Sequence, residues 1–202
     1  PLAASKVLIR LEKENLSIGE RVLAQELQLT IRGQEKIGII GPNGVGKSTL
    51  LAKLHQLLSN KREISLGFMP QDYKKTLQLE LSPVEFLSQT GYKEEIQKIQ
   101  SHLASLNFSY PEMHHQIHSL SGGQQGKLLL LNLVLRKPNF LLLDEPTRNF
   151  SPTSQQEIRK LFATYPGGLV TVSHDRRFLK EVCTTIYRLT EHGLEVVDLQ
   201  DL

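Results

Sequence analysis

Residues 41–49, with the sequence GPNGVGKST, constrain the fold more than any other part of this 202-residue chain. They fit the phosphate-binding pattern GxxxxGK[ST], with Gly41, Gly46, Lys47 and Ser48 at its fixed positions. An apolar run precedes this loop and leucines at helical spacing follow it over residues 50–58, which predicts a strand–loop–helix unit. Glycines let the backbone curl around an anion, and the amino end of the helix directs N–H groups toward it. The segment therefore predicts nucleotide binding.

Every residue of this phosphate loop is a candidate nucleotide ligand. Lys47 would bring its ammonium group to the outer phosphates, and the Ser48 hydroxyl would coordinate Mg²⁺. The predicted contacts to a bound triphosphate are Gly41, Pro42, Asn43, Gly44, Val45, Gly46, Lys47, Ser48 and Thr49.

The composition is that of an ordinary globular protein. Hydrophobic residues make up 39% and charged residues 22%, and a net charge of +3 is too small to indicate a nucleic-acid partner by itself. The lone Cys183 excludes an internal disulfide and is consistent with a reducing compartment. No apolar run approaches the ~18 residues of a membrane-spanning helix, and no signal peptide is recognised at the amino end. These features predict a cytoplasmic protein.

Strand and helix patterns alternate along the chain. Strands are predicted over residues 6–11, 22–31, 64–69, 140–143 and 168–172, with two more at the end of the chain. Helices are predicted over residues 50–58, 122–137, 153–164 and 175–182. Residues 72–119 are charged and glutamine-rich, and with the next helix they predict a helical subdomain over residues 72–135. The expected fold is one α/β domain over residues 1–202 with a mostly parallel sheet.

A buried strand that ends in two carboxylates supplies a second candidate site. The sequence FLLLDE places Asp144 and Glu145 at the carboxyl end of a strand, at the same sheet edge as the phosphate loop. Asp144 would hold Mg²⁺ through water, and Glu145 would polarise an attacking water as a general base. The alternative is an acidic pair that only precedes the turn at Pro146. The upstream phosphate loop favours the catalytic interpretation.

A second anion-binding helix start is predicted at residues 121–125. Ser121, Gly122, Gly123 and Gln124 open a strongly apolar helix, with a hydroxyl at the capping position. On its own this pattern indicates only a capped helix. If it lies on the helical insertion, it cannot easily reach the phosphates held by its own loop, which suggests that two copies enclose the nucleotide.

Taken in order, these segments resemble the motif set of ATP-binding-cassette (ABC) ATPases over essentially the whole chain. The matching motifs are the phosphate loop, Gln71, the LSGGQ run of residues 120–124, the FLLLDE strand and the SHD run of residues 173–175. The resemblance implies a P-loop NTPase fold with a RecA-like core, an N-terminal antiparallel β-subdomain and the helical subdomain. It also implies ATP and Mg²⁺ as cofactors, and an ATPase activity that needs a second cassette.

The resemblance assigns further roles to particular residues. Gln71 is expected to sense Mg²⁺ and the γ-phosphate, and His174 is expected to contact the γ-phosphate. The LSGGQ run is expected to bind the ATP held by the opposite cassette. The implied catalytic residues are Glu145, His174 and Lys47, and the implied metal ligands are Ser48, Gln71 and Asp144.

Within the superfamily, the SHDRRFL run of residues 173–179 is similar to that of the ABC-F branch. Those proteins have two cassettes and no membrane domain, and several act on the ribosome or protect it from antibiotics. The resemblance implies one cassette of such a protein, with the second cassette favoured, and a ribosome as partner. The charged linker that joins the two cassettes in that family is not present, which suggests an excised half that pairs with another cassette or with a second copy.

Two other functions stay open. The same chemistry serves the motor subunit of a membrane transporter, whose helical subdomain docks on a separate membrane domain. The other alternative is a nucleotide-binding regulatory module with little turnover. Two departures from the family pattern keep it open, because Ile18 stands where an adenine-stacking aromatic is frequent and Ser151 stands where an aspartate is usual.

Three histidines offer a rival metal site. His114 and His118 are four residues apart, which on a helix after Pro111 would place both on one face, with His115 beside them. No cysteine or further ligand is close in the sequence. A solvated helical face is therefore preferred over a zinc site.

Overall fold

The computed structural model describes residues 2–202, which contain eight strands and seven α-helices. The strands are β1 (Val7–Ile18), β2 (Arg21–Arg32), β3 (Lys36–Ile40), β4 (Leu66–Met69), β5 (Phe140–Asp144), β6 (Gly168–Val172), β7 (Thr185–Thr190) and β8 (Gly193–Val197). The helices are α1 (Lys47–Ser59), α2 (Pro83–Leu87), α3 (Lys93–Ser105), α4 (Tyr110–His114), α5 (Gly122–Leu135), α6 (Pro152–Ala163) and α7 (Arg176–Val182). Short 3-10 turns cover Tyr73–Thr76, Ile117–Ser119 and Leu199–Asp201.

A six-stranded sheet carries the phosphate loop. Its order is β4-β5-β6-β3-β7-β8, with parallel pairing except between β7 and β8. The carboxyl ends of parallel strands lie at one edge of a sheet, where ligands bind in folds of this class. Only β6 separates β3 from β5. The residues that follow β3 and β5 can therefore meet across the end of β6.

The strands β1 and β2 form a separate antiparallel sheet of two strands. β1 runs to Ile18, although the sequence pattern predicts a strand that ends at Leu11. Its pairing shifts register between Leu11 and Glu14, and Lys13 has a positive φ of 49°. A bulge of this kind interrupts the alternation of apolar and polar residues, which is why the pattern underestimates the strand.

The apolar face of α1 anchors the phosphate loop to the large sheet. Leu50, Leu54 and Leu58 are fully buried and belong to one core cluster with Ile37 and Ile39 of β3. Complete burial of such a side chain contributes roughly 1.5–3 kcal/mol. This packing fixes the amino end of α1 beside the end of β3.

The chain divides into two compact units. The first contains the residues up to Pro70, Pro138–Arg148 and Ile158–Leu202, and the second contains Gln71–Lys137 and Asn149–Glu157. The predicted helical subdomain of residues 72–135 lies within the second unit, while the assignment of a single domain over residues 1–202 stays a prediction. None of the helices in residues 2–202 combines the length and apolar character that spanning a membrane requires.

In the second unit, the loop before α3 is organised around the carboxylate of Glu95. This carboxylate accepts hydrogen bonds from the N–H groups of Gln89, Thr90 and Gly91 at 3.0–3.3 Å, and from the hydroxyls of Ser88 and Thr90. The bond from the Ser88 hydroxyl and those from the loop backbone lower the pKa of Glu95 to about 2. The ionised side chain therefore holds the loop in place.

We expect Glu95→Gln to lower the thermal stability at neutral pH, because a neutral amide accepts these hydrogen bonds more weakly than a carboxylate. The folded-state pKa is depressed, so the stabilisation is present above the unfolded pKa of about 4.3 and is lost as pH falls toward the folded pKa. The melting temperatures of the two proteins should differ at pH 7 and converge in acid. Glu94→Gln, on the neighbouring exposed residue, is the control. A difference that persists unchanged into strong acid would contradict this role.

The three histidines do not share a helix, and the expectation that His114 and His118 lie on one helical face is wrong. α4 ends at His114, because the N–H groups of Ile117 and His118 bond instead to the carbonyl oxygens of Leu81 and Leu79. Within residues 2–202, no three or more His, Cys, Asp or Glu side chains are grouped so that they could hold a metal ion.

Candidate nucleotide-binding site

The phosphate loop joins β3 to α1 and owes its shape to glycines with positive φ. Gly46 precedes α1 with a φ of 108°, and a Cβ at this position would lie 3.0 Å from Leu23 Cδ1. Gly44 has a φ of 83°. Glycine adopts this backbone without strain. The first N–H groups of α1, which have no carbonyl partner within the helix, are thereby presented to an anion.

The Lys47 ammonium group turns back onto the loop. It donates to the carbonyl oxygens of Gly41 and Pro42, the second at 2.9 Å. Burial lowers the pKa of Lys47, whereas the carboxylates of Glu145 and Asp144 raise it. A buried cation that donates to two backbone carbonyl oxygens is well placed to exchange them for phosphate oxygens.

Asp144, the last residue of β5, meets the first turn of α1. The Ser48 hydroxyl donates to Asp144 Oδ2 at 2.8 Å. The other oxygen, Oδ1, is buried and has no hydrogen-bond partner among residues 2–202. Burial raises the pKa of Asp144, and the Ser48 hydrogen bond and the charge of Lys47 oppose that rise. A buried carboxylate oxygen without a partner, next to a hydroxyl, is a donor set that fits Mg²⁺.

Glu145 has an unusual backbone conformation. Its φ is 52°, and its N–H donates to the carbonyl oxygen of Val172 at the end of β6 at 2.8 Å. Left-handed conformations of this kind are uncommon for residues other than glycine and cluster at functional sites. Burial raises the pKa of Glu145, and the hydrogen bond from the His174 N–H is the largest opposing effect.

Both carboxylate oxygens of Glu145 contact His174. Oε2 accepts from the His174 backbone N–H at 3.2 Å, and Oε1 lies 3.3 Å from His174 Nε2. The same Nε2 lies 3.2 Å from Asn43 Oδ1 of the phosphate loop. A ring nitrogen that faces two acceptor oxygens carries the proton. The first unit therefore brings together the phosphate loop, Asp144, Glu145 and His174.

Two residues that had no predicted role support this arrangement. Thr147, which is 2% exposed, donates from Oγ1 to Asp175 Oδ2 at 2.9 Å. Asp175 Oδ1 accepts from the N–H of Phe178 at 3.1 Å and caps α7. The turns that follow β5 and β6 are thus tied together. An aspartate directly before an apolar helical run is a capping signal that predicts this role for Asp175, whereas Thr147 carries no such signal.

The remaining predicted site residues lie in the second unit. Gln71 is exposed and lies two residues after the end of β4. Ser121 caps α5, because its Oγ accepts from the Gln124 N–H at 3.1 Å while Gln124 Oε1 accepts from the Ser121 N–H at 3.2 Å. This reciprocal capping box fixes the start of α5 and leaves two glycines in its first turn.

The two departures from the family pattern have different consequences. Ile18 is the last residue of β1 and is 58% exposed, so more than half of its surface is accessible to solvent. Ser151 lies directly before α6, where its Oγ accepts from the Ser154 N–H at 3.3 Å. Serine and aspartate are comparable as helix N-caps. Ser151 therefore preserves the capping role that an aspartate would have.

Comparisons with known proteins relate this geometry to a family. The ABC transporter family matches residues 24–148. The probable ATP-binding protein YheS of Escherichia coli K12 is 29% identical over 205 residues, which cover 98% of this chain and 32% of that protein. ABC transporter F family member 2 of Arabidopsis thaliana is 30% identical over 90% of this chain and 28% of that protein. The chain thus spans about a third of the curated relatives it matches, and the resemblance to ABC-F proteins is confirmed.

A solved structure shows the same fold. The ATP-binding cassette MJ0796, in a dimeric post-hydrolysis state bound to ADP and Pi, aligns with a TM-score of 0.75 over 94% of this chain and 98% of that chain. At 20% identity this likeness concerns the fold alone. Together with the two sheets, it confirms the predicted ABC-type P-loop NTPase fold with its N-terminal antiparallel sheet.

Proposed function

The chain belongs to the ATP-binding-cassette family, and from that premise we propose that it binds Mg²⁺·ATP and hydrolyses it to ADP and phosphate. The observation that carries the proposal is the buried Asp144 Oδ1, which has no partner among residues 2–202 and lies on the carboxylate that Ser48 contacts. A cation satisfies this oxygen, and the loop glycines with the amino end of α1 suit an anion. Mg²⁺·ATP provides both.

Three residues of the first unit would act on the nucleotide directly. Lys47 exchanges the carbonyl oxygens of Gly41 and Pro42 for the outer phosphates, where it stabilises the charge that develops during transfer. Glu145 accepts a proton from the attacking water, a contribution of about 10²–10⁴-fold in rate. His174, which already contacts Glu145 and Asn43, contacts the γ-phosphate.

Bound Mg²⁺ would neutralise charge on the phosphate oxygens. Ser48 and Asp144 would be its ligands, a role that the hydrogen bond between their side chains supports. The family resemblance adds Gln71 as a third ligand. Glu145 remains free of the metal in this assignment, so that its carboxylate is available as the base.

A second cassette would complete the site. Residues Ser121 to Gln124 at the start of α5 would bind the nucleotide held on the phosphate loop of the opposite cassette, since the amino end of a helix suits a phosphate. The capping box between Ser121 and Gln124 supports this role because it fixes that helix start in one conformation. The partner would be another cassette of a longer chain or a second copy in a head-to-tail pair.

The resemblance to ABC-F proteins supports a cytoplasmic protein of the ribosome-associated, antibiotic-resistance type, in which ATP closes the paired cassettes on a ribosome. The test is sedimentation of the Glu145→Gln variant with purified ribosomes, with and without Mg²⁺·ATP. We expect comigration that depends on ATP. A Lys47→Ala variant, which lacks the phosphate-binding ammonium group, is the control and should not comigrate.

The result also separates the alternative partners. ATP-dependent binding to membranes that carry a transporter domain, with no ribosome binding, would replace the ribosome role with that of a transporter motor. Association of the cassettes without binding to either partner would leave only the ATPase assignment.

An aromatic side chain at position 18 should tighten ATP binding. Ile18 is 58% exposed, so Ile18→Tyr adds a ring without disturbing the core. Stacking on the base contributes about 1 kcal/mol, which corresponds to a roughly fivefold lower Kd in a binding titration. Val196→Tyr, at a site 73% exposed on β8, is the matched control and should leave the Kd unchanged. Equal tightening by both variants would argue against stacking at position 18.

A further inference from the structure

Two aromatic rings of the second unit meet at a glycine of α5. A Cβ at Gly126 would lie 2.5 Å from Phe150 Cζ, 3.0 Å from Phe150 Cε1 and 2.9 Å from Tyr73 Oη. Separations below 3.0 Å essentially never occur for real Cβ atoms. The missing side chain therefore makes room for both rings, and we refer to Gly126, Phe150 and Tyr73 as the Gly126 notch.

The notch connects three segments that carry predicted site residues. Gly126 lies two residues after Gln124, Tyr73 lies two residues after Gln71, and Phe150 lies five residues after Glu145. The rings of Tyr73 and Phe150 are buried, with an exposure of 7% each. A displacement at any one of the three positions is therefore felt by the other two, because close-packed interiors leave no space to absorb it.

The segment that contains Phe150 is held at further points. Gln155 Nε2 donates to the carbonyl oxygen of Phe150 at 3.1 Å. Lys127, the neighbour of Gly126 in α5, forms an ion pair of 2.8 Å with Glu157 Oε2. These contacts hold the backbone of this segment near α5, so a methyl group at position 126 that displaces the Phe150 ring also strains the segment that carries the ring.

Helix propensity does not account for a glycine at position 126. The residue lies within α5, where glycine is among the weakest helix formers and alanine the strongest. Its φ is not in the left-handed region, which would have required a glycine. Close approach of Phe150 and Tyr73 is the remaining physical reason for a residue without a side chain.

We propose that the Gly126 notch positions the loop after Glu145 for hydrolysis. Gly126 and Phe150 are positioning residues, which act through the loop between Glu145 and Ser151 and do not touch the nucleotide. This inference rests on the proposed ATPase function. A shift of the order of 1 Å in a positioned group can lower a rate by about 10²-fold, so a small displacement of Phe150 is sufficient.

The test is a double-mutant cycle of Gly126→Ala and Phe150→Leu, read by thermal unfolding and by steady-state ATP hydrolysis. Helix propensity alone would raise the Tm by about 2–4 °C in Gly126→Ala. We expect the Tm to fall instead, and kcat to fall about tenfold or more while KM stays within about twofold. Leucine lacks the Cε1 and Cζ atoms that the new methyl group meets, so adding Phe150→Leu should restore much of both losses.

A matched control separates this coupling from a general loss of core packing. Phe162→Leu shortens a buried phenylalanine of the first unit that packs edge-on against Phe178, with ring centroids 6.1 Å apart. Its effects should add to those of Gly126→Ala, because the two residues belong to different units and Phe162 is not part of the Gly126 notch. Rescue of Gly126→Ala by Phe162→Leu as well would overturn the inference.

The other outcomes are equally distinct. A higher Tm with unchanged kcat in Gly126→Ala would show that a methyl group fits at position 126 without displacing either ring, and would overturn the inference. A lower Tm with unchanged kcat would reduce the notch to a packing feature and overturn the positioning role. An unsubstituted chain that binds no ATP and hydrolyses none, alone or paired, would overturn the proposed function itself, and the inference would fall with it.

Discussion

Replacement of Glu145 by glutamine is expected to lower ATP turnover by about 10²–10⁴-fold and to leave ATP binding intact. In the native protein, Glu145 Oε2 accepts a hydrogen bond from the His174 N–H at 3.2 Å. The glutamine amide oxygen can still accept this hydrogen bond, but the amide cannot take a proton from water. Steady-state phosphate release measures the loss of turnover, and an equilibrium titration measures the Kd for ATP.

A second carboxylate of the same unit provides the control. Glu191 has a side chain that is 81% exposed, and Glu191→Gln should retain the turnover of the unsubstituted protein. If Glu145→Gln also hydrolyses ATP at the normal rate, Glu145 is not the base. If the unsubstituted protein binds ATP but scarcely turns it over, the regulatory-module alternative is favoured.

Removal of the Lys127 charge is expected to destabilise the second unit by about 3 kcal/mol, because it leaves the largely buried carboxylate of Glu157, whose side chain is 18% exposed, without its cation. Lys127 is 8% exposed, lies 2.8 Å from Glu157 and donates to the carbonyl oxygen of Leu106 at 3.3 Å. Lys127→Met keeps most of the side-chain volume. Thermal unfolding should show a Tm lower by roughly 6–12 °C for a chain of this size.

The partner and a surface lysine supply the controls for Lys127. Adding Glu157→Met should recover much of the lost stability, since replacing both charges by apolar groups removes the unpaired carboxylate. Lys98→Met, on the exposed surface of α3, should change the Tm little. Equal losses from Lys127→Met and Lys98→Met would show that the ion pair contributes no more than an exposed charge.

The strand–loop–helix unit was predictable because its signals are local. The apolar run of β3, the glycines of residues 41–46 and the leucines of α1 each report one kind of local structure, and together they admit one arrangement. The meeting of Ser48 with Asp144 also followed from a general rule, since both lie at the carboxyl edge of a parallel sheet. The strand order, in which β6 lies between β3 and β5, could not be predicted from the residue patterns.

The features that were missed depend on contacts between distant segments. The bulge at Lys13 breaks the alternation of β1, and the pairing that requires it comes from β2. Thr147 and Asp175 are 28 residues apart and meet only when β5 and β6 are adjacent. The left-handed φ of Glu145 likewise has no signal in its residue type. Such features arise from tertiary packing, which residue patterns do not encode.

Mixing two inactive variants tests most directly whether two cassettes build each ATPase site. Lys47→Ala removes the phosphate-binding ammonium group, and Ser121→Glu adds a negative charge where the opposite nucleotide would bind. In a mixed pair, the Ser121→Glu chain supplies an intact Lys47 and the Lys47→Ala chain supplies an intact Ser121, so one of the two sites is complete. We expect ATP hydrolysis well above that of either variant alone. Hydrolysis no greater than the average of the two separate variants would contradict a site shared between cassettes.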